Sequence, residues 1–285
     1  MTRAPAVAGM FYELDPEALT RSIERCFLCE LGPGSLPGKK DVRAAQVLGL
    51  VSPHAGYMYS GAAAAHAFHR LAEDGVPDTA VLLGPTHRGL GAPVAVGADT
   101  EWTTPLGAVQ TDQQTANSIL ELCDFAQRDD IAHMEEHSLE VQLPFLQYVG
   151  GDSVKIVPIS IARLSEDDAV ALSSDLGQAI GKALAGKSAV VIASTDFTHY
   201  ESQANAESKD SLAMDRILKL DGPGLLREVY GKSISMCGVA GTAVMLEACK
   251  ALGAKQARKL TYYTSGDVTG DMSQVVGYGA LSIEL

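Results

Sequence analysis

Along the chain, short and almost unbroken apolar runs alternate with longer stretches in which apolar residues recur every three or four positions. Six runs predict strands, at 46–51, 79–83, 154–161, 189–194, 260–264 and 277–283. Most are rich in Val, Ile or Leu and bounded by Gly, Pro, Ser or Asp. Continuous apolarity, in place of strict alternation, predicts strands covered on both faces. Helices are predicted at 15–30, 62–73, 112–122, 138–148, 165–184, 207–219 and 239–252, the first with Asp15 as cap and Pro16 in its opening turn. This order predicts an α/β fold: a single three-layer domain over residues 1–285, with a mostly parallel or mixed sheet flanked by helices. Residues 91–112 read as a hairpin, which would make the sheet mixed. The Pro/Gly/Lys-rich stretch 31–41 reads as a surface loop. Its glycine spacing is wrong for a phosphate loop, and Lys39 is followed by Lys40 where such a loop has Ser or Thr.

Three of the predicted strands end in a chemical group. "LGLVSPHAGYMYSG" runs into His54, "AVLLGPTHRG" into His87, and "AVVIASTDFTHY" into Asp196 and His199. Ligands of open α/β sheets bind beyond the carboxyl ends of strands, so these side chains are expected in one crevice. Paired imidazoles point to a metal such as Fe, Zn or Cu, with need of a third and preferably anionic ligand. Cys237, just before Gly238 and a predicted helix, is one candidate, because a helix N-terminus favours thiolate. Its spacing fits equally a small apolar residue in a helix–sheet contact. In "MEEHSLEVQLPFL", His137 and Glu140 share a helix face and read as a surface pair. His66 and His69 read as packing or solvent-facing, and His133 as a loop residue. Cys26-x-x-Cys29 falls late in a helix, the wrong place for a redox pair, and lacks two further zinc ligands at matching spacing.

The net charge of −13 argues against nucleic acid or an anionic membrane as partner. No apolar run approaches the roughly 20 residues of a membrane span. The N-terminus lacks a signal-peptide pattern, and the expectation is a cytoplasmic protein. Five scattered cysteines do not make a disulfide framework.

The motifs "RAPAVAGMFY", "SPHAGYMYSG", "LGPTHRG", "EWTTPLG", "EEHSLEVQLPFLQ", "STDFTHY", "MCGVAG" and "GDVTGDMSQVVGYGALS" follow one another nearly end to end. In that order they resemble the Memo family, proteins related in fold to the class III extradiol dioxygenases. The resemblance implies a metal site at His54, His87 and Cys237. It also implies an acid–base pair at Asp196 and His199, and a cavity lined by His137. It further implies a divalent metal, Fe first with Cu or Zn as alternatives, and an unidentified small molecule or peptide as ligand. Radical-SAM and AMMECR-like proteins are implied partners.

Three functions follow as expectations. The first is a metal-dependent redox enzyme in which His199, oriented by Asp196, moves a proton. The second is a metal- or peptide-binding adaptor on the same scaffold without turnover. The third is zinc hydrolysis, ranked last for want of a clear general base. An oxidisable thiolate ligand speaks against ordinary ring cleavage.

Overall fold

Strand residues point alternately to opposite sides of a sheet, and here both sides are buried. In the computed structural model, which describes residues 2–38, 40, 42–98 and 101–285, the alternation sorts the apolar runs into two cores. Val190 and Ile192 face one core, Val191 and Ala193 the other; Ala80 and Leu82 are likewise opposed to Val81 and Leu83. Lys39 and Asp41, in the loop tested above for phosphate binding, lie outside the described residues.

The strands are β1 Thr2–Arg3, β2 Val47–Ser52, β3 Thr79–Pro85, β4 Val94–Val96, β5 Glu101–Thr104, β6 Gly107–Val109, β7 Gln127–Arg128, β8 Lys155–Ile161, β9 Ala189–Ser194, β10 His199–Glu201, β11 Gln256–Thr264 and β12 Val275–Glu284. The α-helices are α1 Pro16–Leu28, α2 Tyr57–Asp74, α3 Gln113–Leu122, α4 Gln142–Gly150, α5 Glu166–Leu184, α6 Gln203–Leu218, α7 Gly222–Gly231, α8 Val239–Ala251 and α9 Ser265–Thr269. Asp15, Asp112 and Ser165 cap α1, α3 and α5 by accepting from backbone N–H groups of the first turn.

At the centre, β2, β9, β3 and β8 lie side by side, all parallel. Flanking strands run antiparallel to them, β12 against β2 and β4 against β8, so the sheet is mixed. Helices α1, α2 and α4 cover one face; α3, α5, α7 and α8 cover the other. This bears out the α/β expectation. Among the described residues no helix is long and apolar enough to cross a membrane.

Several elements differ from the sequence reading, three of them in ways with a clear physical reason. Segment 91–112 is divided: β4 joins the main sheet, while β5 and β6 form a hairpin that builds a small separate sheet with β1. The helix expected from 138 starts only at Gln142, because the preceding turn is drawn into the site by hydrogen bonds to Glu136. Helix α7 was not among the predicted helices; it opens on Gly-Pro-Gly and is capped by the Asp221 carboxylate.

Candidate metal site and cleft

Parallel neighbours end on the same side of a sheet, so the topology brings the ends of β2, β9 and β3 together. Thr195 N–H donates to the Ser52 carbonyl, extending the β2–β9 ladder past the end of β9, and His54 N–H donates to Asp196 Oδ1 at 2.8 Å. The two strand ends are thus stitched to each other where their chemical groups begin.

Hydrogen bonds fix the tautomer of His54. The Ser194 hydroxyl donates its only proton to the Ser138 carbonyl at 2.6 Å and accepts from Gln142 Nε2 at 2.9 Å. His54 Nδ1, 2.9 Å from the same oxygen, must then be the donor. Its Nε2 keeps a lone pair, aimed at the Cys237 sulfur 3.2 Å away. The ring is 2% exposed, and burial, aided by the His87 charge, pushes its pKa down to about 3. It is a neutral imidazole at physiological pH, the form that binds metal.

His87 is fixed by a carboxylate. Its backbone N–H and Nδ1 both donate to Glu136, the ring at 2.9 Å, which leaves Nε2 free. Glu136 Oε1 also accepts from the N–H groups of His137 and Ser138, each at 2.9 Å. Burial alone would raise this carboxyl's pKa. The hydrogen bonds from His87 and Ser138 outweigh it and hold the group well below the usual carboxylate range.

His137 stacks on His87, ring centroids 4.5 Å apart, and meets His54 edge-on at 5.6 Å. Ligand atoms of His54, His87 and His137 lie within 4.8 Å of one another, a cluster able to hold a metal ion. The surface pair expected of His137 and Glu140 does not form. Glu140 is fully buried and paired with Arg3, and it also accepts from the N–H groups of Ala6 and Val7 and from the Tyr12 hydroxyl. Arg3 lies over Trp102 and donates to the His133 and Glu136 carbonyls. The acid that serves the histidines is Glu136, adjacent to His137 in "MEEHS" and missed by the sequence reading. His133, expected in a loop, is buried in a short 3-10 turn beside Trp102.

Cys237 immediately precedes Gly238, the N-cap of α8. A side chain at position 238 would strike the Ser194 carbonyl, so glycine lets α8 approach β9 and deliver the sulfur. The Asp196 N–H donates to this sulfur at 3.2 Å. The expected lowering of the thiol's pKa is not found. Burial, reinforced by the Asp196 charge, pushes it up to about 12 and outweighs the helix terminus. Cys237 is not part of the His54–His87–His137 cluster, but its Sγ–Nε2 spacing to His54 fits two donors on one ion. Donors bound to one ion at zinc-like distances stand about 3.1–3.6 Å apart for angles between square and tetrahedral.

His199 sits on β10, where its Nδ1 donates to the Ser235 carbonyl at 2.9 Å and its N–H to the Ser235 hydroxyl at 2.7 Å. Its orienting partner is therefore Ser235 and not Asp196, whose carboxylate is engaged by His54 N–H. His87, His199 and Cys237 open together on a cleft of about 540 Å³. Cys26 is buried in α1 and Cys29 exposed, with no metal-ligating group assembled around them among the described residues.

The model of the family described as Memo-like protein matches residues 3–282. The chain belongs to the Memo-like family. Relatives of this Memo-like chain include MEMO1 family proteins of Methanopyrus kandleri, 48% identical over 99% of this chain and 98% of that protein, and of Thermotoga petrophila, 46% identical over 98% of each. Another, from Methanothermobacter thermautotrophicus, is 45% identical over 99% of this chain and all of its own. Among solved structures, the uncharacterized protein JW3007 from Escherichia coli K12 superposes with a TM-score of 0.52 at 15% identity, covering 83% of this chain and 99% of that one. At that identity the likeness is one of fold. In the Memo-like chain, the family motifs quoted above are the segments that build the cluster: "SPHAGYMYSG" carries His54, "LGPTHRG" His87 and "EEHSLEVQLPFLQ" both Glu136 and His137.

Proposed function

We propose that the protein is a metal-dependent redox enzyme of dioxygenase-like type. One ion, iron before copper or zinc, is held by His54, His87 and Cys237, with a small organic molecule in the adjoining cleft. The observation that carries this reading is the convergence of unshared lone pairs. His54 and His87 each commit Nδ1–H to a fixed acceptor and leave Nε2 unshared; their ligand atoms cluster with those of His137 within 4.8 Å, and the Cys237 sulfur, outside that cluster, lies 3.2 Å from His54 Nε2. Imidazole with thiolate suits Fe, Cu or Zn and disfavours Mg and Ca. Such an ion, when bound, supplies Lewis acidity and, for iron or copper, one-electron chemistry.

The protein groups do the rest. Ser194 and Glu136 stop the ligand rings from rotating. His137, stacked on His87, closes the wall beside it. Asp196 ties the β2 end to the β9 end through the His54 N–H. His199, held through Nδ1, presents Nε2 to the cleft and there takes or gives the substrate's proton.

Elemental analysis of protein purified without oxygen tests the proposal, with oxygen uptake measured against a panel of catechols. Wild type is expected to hold stoichiometric metal. His54→Ala and His87→Ala lose most of it, and His199→Gln keeps the metal but loses turnover. Wild type devoid of metal under these conditions would sink the proposal. Stoichiometric metal without uptake on any substrate would favour a binding protein on the same scaffold.

A further inference from the structure

The four central parallel strands share one ending. His54 stands two residues past Ser52, Asp196 two past Ser194, His87 two past Pro85, and Arg163 two past Ile161. In the order β2, β9, β3, β8, the first and third strands supply metal-site histidines, the second the carboxylate tied to the His54 N–H, and the fourth a guanidinium. β8 pairs with β3 in parallel register up to Pro85 opposite Ile161, so Arg163 and His87 each stand two residues past a paired position. Arg163 and His87 line the same cleft as His199 and Cys237.

Arg163 is exposed and makes no hydrogen bond or ion pair among the described residues. The acidic first turn of α5, Glu166 to Asp168, makes no ion pair with it. Its loop is nevertheless held in place, because the Tyr230 hydroxyl, which also lines the cleft, donates to the Leu164 carbonyl at 2.8 Å. The chain carries 35 acidic residues and a net charge of −13, yet none of the residues lining this cleft is Asp or Glu. Much of the remaining lining is apolar, from Ile161, Leu164, Val229, Ile234, Met236 and Val239. An unpaired cation beside an apolar wall, in an otherwise acidic protein, matches an amphipathic anion.

Building on the metal-site reading, we infer that the cleft takes a small carboxylate with an apolar body. Arg163 grips the carboxylate, the apolar wall takes the body, and the far end reaches His87, Cys237 and His199. Arg163 would thus set both the class of substrate and its direction of entry.

Calorimetric titration with matched pairs, benzoate against benzamide and hexanoate against hexanamide, tests this. It is run on protein purified without oxygen and on the same protein after chelation, with metal content measured on each sample. At least one carboxylate is expected to bind about tenfold or more tightly than its amide in both preparations, as a charge-assisted contact requires. Added salt should weaken the preference. Arg163→Gln should erase it without changing metal content, since the side chain supports no internal contact. A wild type that prefers neither carboxylate overturns the inference, as does a preference that survives in Arg163→Gln. A preference confined to metal-loaded protein and indifferent to Arg163 would place the anion on the ion, which defeats the subsite but leaves the metal reading intact. An Arg163-dependent preference in protein that never holds metal would do the reverse.

Discussion

Glu136→Gln is expected to lower metal affinity by about 10–100-fold, the usual effect of removing the hydrogen-bond partner of a ligating histidine. In the wild type both carboxylate oxygens accept. Oε1 takes His87 Nδ1–H and the N–H groups of His137 and Ser138, while Oε2 takes the His87 N–H. Glutamine preserves the shape but supplies one oxygen and one NH2. Whichever way the amide is turned, at least one buried donor faces another donor. The cost to folding is about 1–3 kcal/mol for each buried donor left unpaired. The larger effect falls on His87, whose ring loses the anion that fixes its tautomer and raises its basicity. Metal titration read alongside thermal unfolding checks this. A variant of reduced stability that binds metal as tightly as wild type would mean that Glu136 serves the fold alone.

Cys237 gives the second large effect, on the pH dependence of metal binding. In the metal-free protein burial pushes its thiol up to about 12, with the Asp196 charge adding to the shift. Binding as thiolate must release that proton, so metal competes with it directly. The sign follows: affinity rises with pH, about tenfold per unit at all pH values below the thiol's pKa. Over pH 7.5–9 ordinary imidazoles have already lost their protons and add no slope. Affinity measured across that window should therefore climb about tenfold per unit in wild type and stay nearly flat in Cys237→Ala. A flat wild-type profile would assign the third position to His137.

What could be read from the sequence was set by local pattern. The strands of the parallel core were legible because burial on both faces leaves continuous Val, Ile and Leu runs. His54, His87 and Asp196 were legible because each follows such a run at once. Glu136 was hidden because its partner, His87, lies 49 residues away. Glu140 was misjudged because its partner is Arg3, 137 residues away. The helix-terminus argument for Cys237 was sound locally, but burial among β9, α8 and His54 is tertiary and reversed the shift. Arg163 follows its strand with no local signal to single it out, and only the strand order brings it into one cleft with His87.

Metal-edge X-ray absorption on protein loaded without oxygen interrogates the claim at the ion itself. The account predicts a sulfur scatterer at about 2.3 Å together with imidazole nitrogens at about 2.0–2.1 Å. The sulfur should vanish in Cys237→Ser while the nitrogens stay. A wild-type shell of nitrogen and oxygen alone, unchanged by that substitution, would contradict it.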